Sequence, residues 1–294
     1  MVVSGDITLR KEFIDTAVKA VALREYKLRT LCTVDSSSAY TESYWRETNT
    51  DPTSVGVATI ANGKLKGTPA LAPFTAGSVT WTKVTGINEK YAVEGLIAYE
   101  DAQMNYLPMI ERTVLRLGRG VSKAVDDQVA AVMLASAGNT FAITAGNEWD
   151  SATIANRDPI YDILYGIDMI RKDNLDALNG DGYLVLNGTD YTNLISNSKI
   201  MNNPTFKTAD VVSNGVVGEV CGLKIMVTES LEVTAPDVAY IVIKNAAMVW
   251  KSVTPLTVQQ IEDPGIKTTI RCWEIGHCQM VSPNAVVRIT NTRK

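Results

Sequence analysis

A single histidine, His277, would have to carry most of the catalytic chemistry open to this sequence. It follows Cys272 and precedes Cys278, so a Cys/His nucleophile pair and a zinc site are the chemistries to test, and no G-x-S-x-G motif offers a serine alternative. The run is typical of a strand, in which Cys272 and Cys278 share one face and His277 points to the other. We therefore interpret His277 as a hydrogen-bonded or solvent-facing side chain, and we predict no catalytic residue and no metal ligand.

Two further segments have the composition of ligand-binding loops but not the spacing. Gly118-Arg119-Gly120 lacks the third glycine and the preceding strand of a dinucleotide-binding loop. The segment 173–182 is acidic, but its spacing differs from that of a calcium loop, and we interpret it as a helix end followed by a turn. Asp126 and Asp127 point to different faces of a helix, so one can pair or cap while the other is solvated. These patterns predict no cofactor and no enzyme.

Composition and charge are those of a folded protein without a strong electrostatic bias. The chain has 294 residues, 46% of them hydrophobic, which suits one large domain or two smaller ones. Its formal net charge is −4, and its 28 Lys and Arg are scattered, Arg293-Lys294 at the end being the nearest thing to a basic cluster. Charge therefore argues neither for nor against a nucleic-acid or membrane partner.

The cysteines and the N-terminus indicate an intracellular protein. None of the 4 cysteines forms a CxxC pair, and their wide spacing favours small buried thiols in a reducing compartment. The first residues show no basic region followed by an apolar run, so we predict no signal peptide. No apolar run approaches the length that spans a membrane. We expect the protein to be made and used in a cytoplasm.

The stretch from Val34 to Glu100 is predicted to be extended, with no helix and little core. Loops longer than about 12–15 residues without structure of their own are uncommon, so a stretch of this length needs an explanation. It carries β-forming residues around turn pairs such as Asn62-Gly63, which indicates a long hairpin between Thr50 and Tyr91. A hairpin that cannot bury its apolar residues within its own chain must bury them on a neighbour. The β-forming residues are Val55, Val57, Ile60, Val79, Trp81, Val84, Ile87, Tyr91 and Val93.

Helical and strand patterns alternate elsewhere without a repeating βαβ unit, which predicts an α+β fold. Apolar residues recur at helical spacing over three segments, a fourth can form a short helix, and a polar, turn-rich region lies between Gly138 and Arg157. Runs of β-forming residues predict strands in the second half of the chain. The predicted helices are 6–33, 108–135, 158–174 and 189–196, and the predicted strands are 183–187, 222–227, 239–243, 249–261, 267–275 and 285–290, with a turn at 282–284.

The order of these elements resembles a known family. Four local matches support the resemblance: 97–102 leading into the helix 110–132, the strand and helix start at 183–190, the glycine before a strand in 221–227, and the closing strands 270–287. Together they resemble the major capsid proteins of tailed double-stranded DNA viruses, which have the HK97-like fold. The resemblance covers essentially the whole chain.

The resemblance implies a domain organisation and a structural function. Residues 1–45 would form an N-terminal arm and 46–95 the extended E-loop, while 96–155 with the spine helix would form the peripheral domain, to which 245–294 return. Residues 156–244 would form the axial domain. The chain would self-assemble into pentamers and hexamers of an icosahedral virion capsid in the host cytoplasm, around double-stranded DNA bound without sequence specificity. Portal and scaffolding proteins would be partners; decoration proteins are left open.

Two features of some family members are not expected here. Some family members carry a scaffolding segment at the N-terminus. Here any scaffold would be a separate protein, or the sequence is that of the mature form. Lys64 and Lys66 near the loop tip and Asn284 offer the residue types of a covalent crosslink, but lysines at a loop tip usually serve solubility, and we do not predict a crosslink. Three other functions remain open as alternatives: an encapsulin-like nanocompartment enclosing cargo enzymes, an α+β enzyme with a site around His277, and a tail or decoration protein.

Overall fold

The computed structural model describes residues 26–47, 81–104, 109–197, 218–234 and 237–294. These residues form an α+β fold with three sheets of four, six and two strands. The predicted helix 6–33 lies outside this part up to residue 25, as does the centre of the predicted hairpin, residues 48–80, with Lys64, Lys66 and the Asn62-Gly63 turn. The strands and helices of the described part agree with most of the predicted elements, and the differences are informative.

The four-stranded sheet is built around a long hairpin near the end of the chain. Strand β10 (Met248–Asp263) pairs antiparallel with β11 (Lys267–Met280), and Gly265, at φ 74°, lies in the turn between them. Strand β4 (Glu89–Ala98) adds antiparallel to β11, and β1 (Thr33–Ser36) adds parallel to β10. Pro255 lies where the β10–β11 register shifts, a position at which a proline costs no ladder hydrogen bond.

A short helix α1 (Tyr99–Met104) follows β4, and the long helix α2 (Met109–Ser136) covers one face of this sheet. Its bounds differ from the predicted 108–135 by one residue at each end. Val114, Val121, Val125 and Val129 are buried on one side of the helix, as the apolar spacing predicts. A Cβ at Gly95 of β4 would meet Leu117 at 3.0 Å, so the helix lies directly on the strand.

The six-stranded sheet has the order β5-β12-β9-β6-β8-β7. Helix α3 (Pro159–Lys172) packs on it, and the methylene of Gly166 leaves room for Ile241 of β9. The Asp158 side chain accepts a hydrogen bond from Tyr161 N at 3.3 Å, which caps α3 and explains the predicted start. The other strands and helices are β5 (Asn139–Ala142), β6 (Gly182–Leu186), α4 (Gly188–Ser196), β7 (Glu219–Val220), β8 (Leu223–Val227), α5 (Ser230–Thr234), β9 (Val238–Ile243) and β12 (Val286–Thr290).

The chain crosses between the two large sheets three times, from α2 to β5, from β9 to β10 and from β11 to β12. The crossings are joined by backbone hydrogen bonds: Gly138 N donates to Pro283 O at 2.9 Å between the first and the third, and Val281 N donates to Ala247 O at 3.0 Å between the third and the second. The six-stranded sheet therefore takes its two outermost strands on one side from residues outside 156–244, the range predicted for the axial domain. That division into domains stays a prediction, and the sheet itself runs from Asn139 to Thr290.

Three local predictions differ from the structure. The helix expected to continue to Thr33 is wrong at this end, because Leu28–Leu31 form a 3-10 turn and Thr33 begins β1 by pairing with Val249. The polar region after Gly138 contains strand β5, which is held by parallel pairing with β12 rather than by its own pattern. Strand β2 (Thr41–Glu47) lies before the predicted start of the hairpin at Thr50, whereas its partner β3 (Trp81–Ile87) lies within the predicted limits and Tyr91 belongs to β4.

Buried polar groups fix the segment 26–32 to the core. Asp126 of α2 accepts backbone hydrogen bonds from Lys27 at 2.8 Å and Arg29 at 3.0 Å. Arg29 Nη1 lies 2.6 Å from Glu274 Oε1, and the Tyr26 hydroxyl donates to the other oxygen of the same carboxylate. Burial raises the pKa of both Asp126 and Glu274, and these donors act against it. The segment is thereby tied to both the helix and the sheet.

The first prediction compares two Arg–Glu pairs of the same length. Arg29–Glu274 and Arg271–Glu94 both have a closest N···O distance of 2.6 Å, but the side chains are 14% and 0% exposed in the first pair and 49% and 43% in the second. Arg29→Gln leaves a buried carboxylate without its cation and should lower the free energy of unfolding by about 3 kcal/mol. Arg271→Gln should change it by about 1 kcal/mol or less. Urea denaturation of the unassembled subunit measures both changes in the free energy of unfolding. Equal changes would contradict the assignment of Arg29–Glu274 as the pair that stabilises the core.

Candidate functional site

His277 is a buried structural residue at the base of the hairpin. Its Nδ1 lies 2.7 Å from Asn88 Oδ1, and its Nε2 lies 2.9 Å from Gln279 Nε2. Because the Gln279 amide nitrogen can only donate, Nε2 accepts and Nδ1 carries the proton that it donates to Asn88. Burial lowers the pKa of His277, with Lys251 acting in the same direction and Glu42 and Glu89 against it. The ring is a hydrogen-bonded side chain, as interpreted from the sequence.

The cysteines beside His277 lie on the other face of β11, as the strand alternation predicts. Cys278 faces Cys32 in the core, whereas His277 faces Gly86 of the hairpin. In the described part of the chain, no group of three or more His, Cys, Asp and Glu side chains is arranged to hold a metal ion.

The other loop-like segments are ordinary parts of the fold. Gly118-Arg119-Gly120 lies inside helix α2. Helix α3 ends at Lys172, and the residues after it turn through Asn174 at φ 60° and Gly180 at φ 86°, which confirms the predicted helix end and turn. Asp126 caps the 26–32 segment as one of the two acids was expected to do, but Asp127 is half-buried rather than solvated.

The two strands β2 and β3 form a ribbon with two different faces. They pair antiparallel over seven residues, from Thr41↔Ile87 to Glu47↔Trp81. The even-numbered residues face the body of the subunit: Gln279 lies 3.5 Å from Glu42 Oε2, and Arg46 Nη2 donates to Ser136 Oγ at 3.1 Å. The odd-numbered residues point away. Within the described part of the chain, one face of the ribbon therefore rests on the body of the subunit and the other does not.

Asn88 fixes the base of this ribbon. It is the one residue between β3, which belongs to the ribbon, and β4, which belongs to the four-stranded sheet. Its backbone N donates to Tyr40 O at 3.0 Å, and its side chain donates to Ala39 O at 2.6 Å while accepting from His277. Sequence reasoning missed this role. The available signal was a single polar residue between two runs of β-forming residues.

The outward face of the ribbon carries large exposed side chains. Trp45 is 58% exposed, Trp81 50% and Ile87 52%. The register places the two tryptophans on the same face, with Lys83 directly opposite Trp45. Isolated apolar residues at a surface need no explanation, but two tryptophans on one side of a two-stranded ribbon form a patch suited to a protein interface. This arrangement agrees with the expectation that the hairpin buries its apolar residues on a neighbour.

Exposed apolar residues also gather on helix α3 and at the far end of the four-stranded sheet. Tyr161 and Tyr165 stack on α3 beside the exposed Leu164. Leu96, Tyr99 and Ile266 lie around the turn that joins β10 to β11, where Tyr99 N donates to Ile266 O at 3.1 Å. Apolar surface thus occurs at three separate places, as expected of a subunit with several neighbours rather than a single partner.

The architecture is shared with capsid shells. The chain is similar to the capsid of cyanophage P-SCSP1u, with a TM-score of 0.67 at 14% identity over 89% of this chain and 86% of that one. It is similar to Mycobacterium phage Che8, with a TM-score of 0.66 at 17% identity over 91% and 92%. A virus-like particle from Pyrococcus furiosus gives a TM-score of 0.61 at 12% identity over 95% and 99%. The fold is therefore that of the HK97-like phage capsid structures.

Sequence comparison gives the family. Residues 89–289, more than half of the chain, match the phage capsid protein family, and the chain belongs to that family. No curated protein matches the sequence. The resemblance stated from the order of elements is confirmed, and so is the α+β fold of the HK97-like class. A structural role follows from the family. In the described part of the chain, no helix is both long and apolar enough for a membrane crossing.

The second prediction is a pH dependence of the ribbon base. Because the pKa of His277 is held below its ordinary 6.5, the neutral ring is favoured in the folded base. The stabilisation is complete above about pH 6.5 and decreases as the pH falls below it, since a protonated Nε2 would point an N–H at the Gln279 amide. Hydrogen exchange of β2 and β3 amides, corrected for intrinsic rates, should show weaker protection at about pH 5.5 than at about pH 7.5.

The control for this prediction is His277→Gln, which removes the titrating ring. Its β2 and β3 protection should not change over the same interval of pH. If the unaltered chain and the variant lost protection in parallel, a group other than His277 would be responsible and the prediction would be wrong.

Proposed function

We propose that this protein is the major capsid subunit of a tailed phage, which self-assembles into pentamers and hexamers of an icosahedral shell around packaged double-stranded DNA. It binds mainly to further copies of itself, with portal and scaffolding proteins as further partners and without enzymatic activity. Assembly takes place in the host cytoplasm, and the finished location is the virion. The observation that carries the proposal is the ribbon whose outward face exposes Trp45 and Trp81.

The physical argument starts from what an isolated ribbon can bury. A two-stranded hairpin is marginally stable on its own, and this one rests on its subunit through one face only. Covering the exposed half of one tryptophan, about 100 Å², would contribute about 2.5 kcal/mol to an interface. Such contributions recur at every subunit contact of a closed shell, so they stabilise the assembly even though no single contact contains a large apolar core.

The predicted division into domains is part of this proposal. The predicted boundary between the arm (1–45) and the E-loop (46–95) falls within β2, while the ribbon leaves the body near Tyr40 and returns at Asn88. Residues 96–155 and 245–294 supply helix α2, strands β10 and β11 of the four-stranded sheet, and β5 and β12 of the other sheet. Strand β1 and most of β4 come instead from the ranges predicted for the arm and the E-loop. Residues 156–244 supply the four neighbouring strands β9, β6, β8 and β7 of the six-stranded sheet, which supports their assignment to an axial domain.

An encapsulin-like compartment that encloses cargo enzymes is the alternative with the same fold. The similarity to a virus-like particle supports the shared fold and does not separate the two functions. Negative-stain microscopy of the purified protein tests for shells of either kind. Genome context then separates them, since terminase, portal and tail genes would accompany a capsid gene, and a cargo enzyme gene would accompany an encapsulin.

The third prediction removes the hairpin tip and keeps its stem. Glu47 and Trp81 are paired, so an Asn-Gly turn can replace residues 48–80 without disturbing the register. The shortened chain should remain folded, with helix and strand signals in its far-ultraviolet circular dichroism spectrum like those of the unaltered chain. It should form no closed shells. Loss of the monomer fold would show that the tip belongs to a core within the subunit, contrary to the proposal.

The fourth prediction tests the exposed ribbon face directly. Trp45→Thr/Trp81→Thr keeps β-forming residues in both strands, so the free energy of unfolding of the subunit should change by about 1 kcal/mol or less. Shell yield, measured by sedimentation and negative-stain microscopy, should fall at least tenfold because the apolar contact is lost at every subunit. Lys83→Thr, on the same face between the tryptophans, is the matched control and should assemble normally. Normal assembly of the double variant would remove the main support for the ribbon as an interface.

A further inference from the structure

Helix α2 carries a row of cations on one face, although these residues do not form a continuous run in the sequence. Arg112, Arg116, Arg119 and Lys123 are all exposed, and no acidic residue occurs in the sequence from Arg112 to Val125. Their spacing of four, three and four residues is that of a single helical face. The cations are scattered in the sequence as a whole, as predicted, but on the folded surface these four form a row, here named the basic stripe.

The stripe lies on the side of α2 turned away from the sheet. Each helical residue turns by about 100°, so the four cations fall within an arc of about 60°. The buried Val114, Val121 and Val125 lie about 180–220° around the helix from Arg112. At a rise of 1.5 Å per residue, the stripe is about 16 Å long. The fold therefore presents a straight line of positive charge on one surface of a protein whose formal net charge is −4.

Gly120 lies beside the stripe and has no function within the subunit fold that explains it. It is exposed in the middle of α2, and a Cβ added there would meet no atom within 4 Å. A glycine at such a position makes the helix about 1 kcal/mol less stable than alanine would. Because Gly120 has no side chain, another molecule can approach the helix backbone closely at this point, next to Arg116 and Lys123.

We propose that the basic stripe binds the phosphate backbone of double-stranded nucleic acid, and that it forms the surface by which the subunit contacts packaged DNA. The inference rests on the proposed function, to which it adds the residues that contact the cargo. Duplex DNA presents one negative charge per about 1.7 Å of its axis, so a row of about 16 Å of cations can contact several phosphates. Such contacts carry no sequence information, because they reach phosphates and not base edges.

The charge complementarity favours a polyanion of regular spacing. Arginine side chains bind phosphate oxygens through two parallel N–H donors, and three of the four cations are arginines. The Trp-bearing face of the ribbon, by contrast, has no comparable row of cations among its described residues, with Lys83 as its only basic side chain. The two surfaces therefore suit different partners, a protein neighbour for the ribbon and nucleic acid for the stripe.

The fifth prediction measures binding of the full-length unassembled subunit to a fluorescent duplex of random sequence, about 30 base pairs long, between about 50 and 200 mM salt. Arg112→Gln/Arg116→Gln should weaken binding about tenfold or more at the lowest salt. It should also reduce the slope of log affinity against log salt by about 1.8, since each lost phosphate contact contributes about 0.9. Both residues are exposed on the helix, so the free energy of unfolding should be unchanged within about 0.5 kcal/mol.

The matched control is Arg171→Gln/Lys172→Gln, which makes the same change in net charge at the end of α3. It should bind DNA within twofold of the unaltered chain and with the same salt slope. An equal effect of the two double variants, or an unchanged slope in the stripe variant, would overturn the stripe as the site. Poly-glutamate serves as a competitor: displacement of DNA at equal charge concentration would identify an acidic protein as the partner and overturn the nucleic-acid assignment.

Microscopy of the same variants separates this inference from the proposed function. Shells from the stripe variant together with weakened DNA binding support both. Shells with unchanged DNA binding overturn the stripe and leave the capsid function intact. Failure of the unaltered chain to form any shell would overturn the proposed function, while the DNA titration of the subunit would still decide the stripe.

Discussion

A ribbon of two strands has two faces, and the subunit can cover only one of them. This constraint governs the part of the fold between Thr41 and Ile87, where β2 and β3 pair with each other and the body supports their even-numbered side chains. Nothing within the described subunit covers the outward face with Trp45 and Trp81. In the proposed shell, this face is the one that a neighbouring subunit would cover with an apolar surface at the matching place.

The ribbon can remain in this exposed position because its base is fixed by buried polar groups. Asn88 connects backbone groups of the ribbon with the imidazole of His277, and Gly86 allows the ring to approach, since a Cβ there would lie 2.1 Å from Nε2. The sheet beneath is in turn joined to the segment 26–32 through Glu274, and that segment to α2 through Asp126. Each contact uses a buried group whose loss would leave an unpaired partner, so the arrangement is specific as well as stable.

How much could be predicted depended on whether an element is determined by local sequence. Helix α2 and the start of α3 at Asp158-Pro159 were predicted almost to the residue, because apolar spacing and capping are local properties. The end of the first helix, strand β5 and the role of Asn88 were missed, since each is decided by a partner more than 40 residues away in sequence. For the basic stripe the signal was present in the 4-3-4 spacing, but counting cations along the chain does not reveal a helical face.

Exposed strands bring a risk as well as a function, and the ribbon shows how the two are balanced. Its unpaired edges offer backbone groups to any extended chain, which is how sheets aggregate and also how strands add to a neighbour's sheet. On the outward face the charged Lys83 lies directly opposite Trp45 and beside Trp81 in the same strand. A partner must therefore cover the two tryptophans while it also accommodates this charge, which a random edge does not do. In the proposed shell, the arrangement repeated by identical neighbours would satisfy both the apolar and the charged groups at every contact, and this requirement would select the correct partner over a random edge.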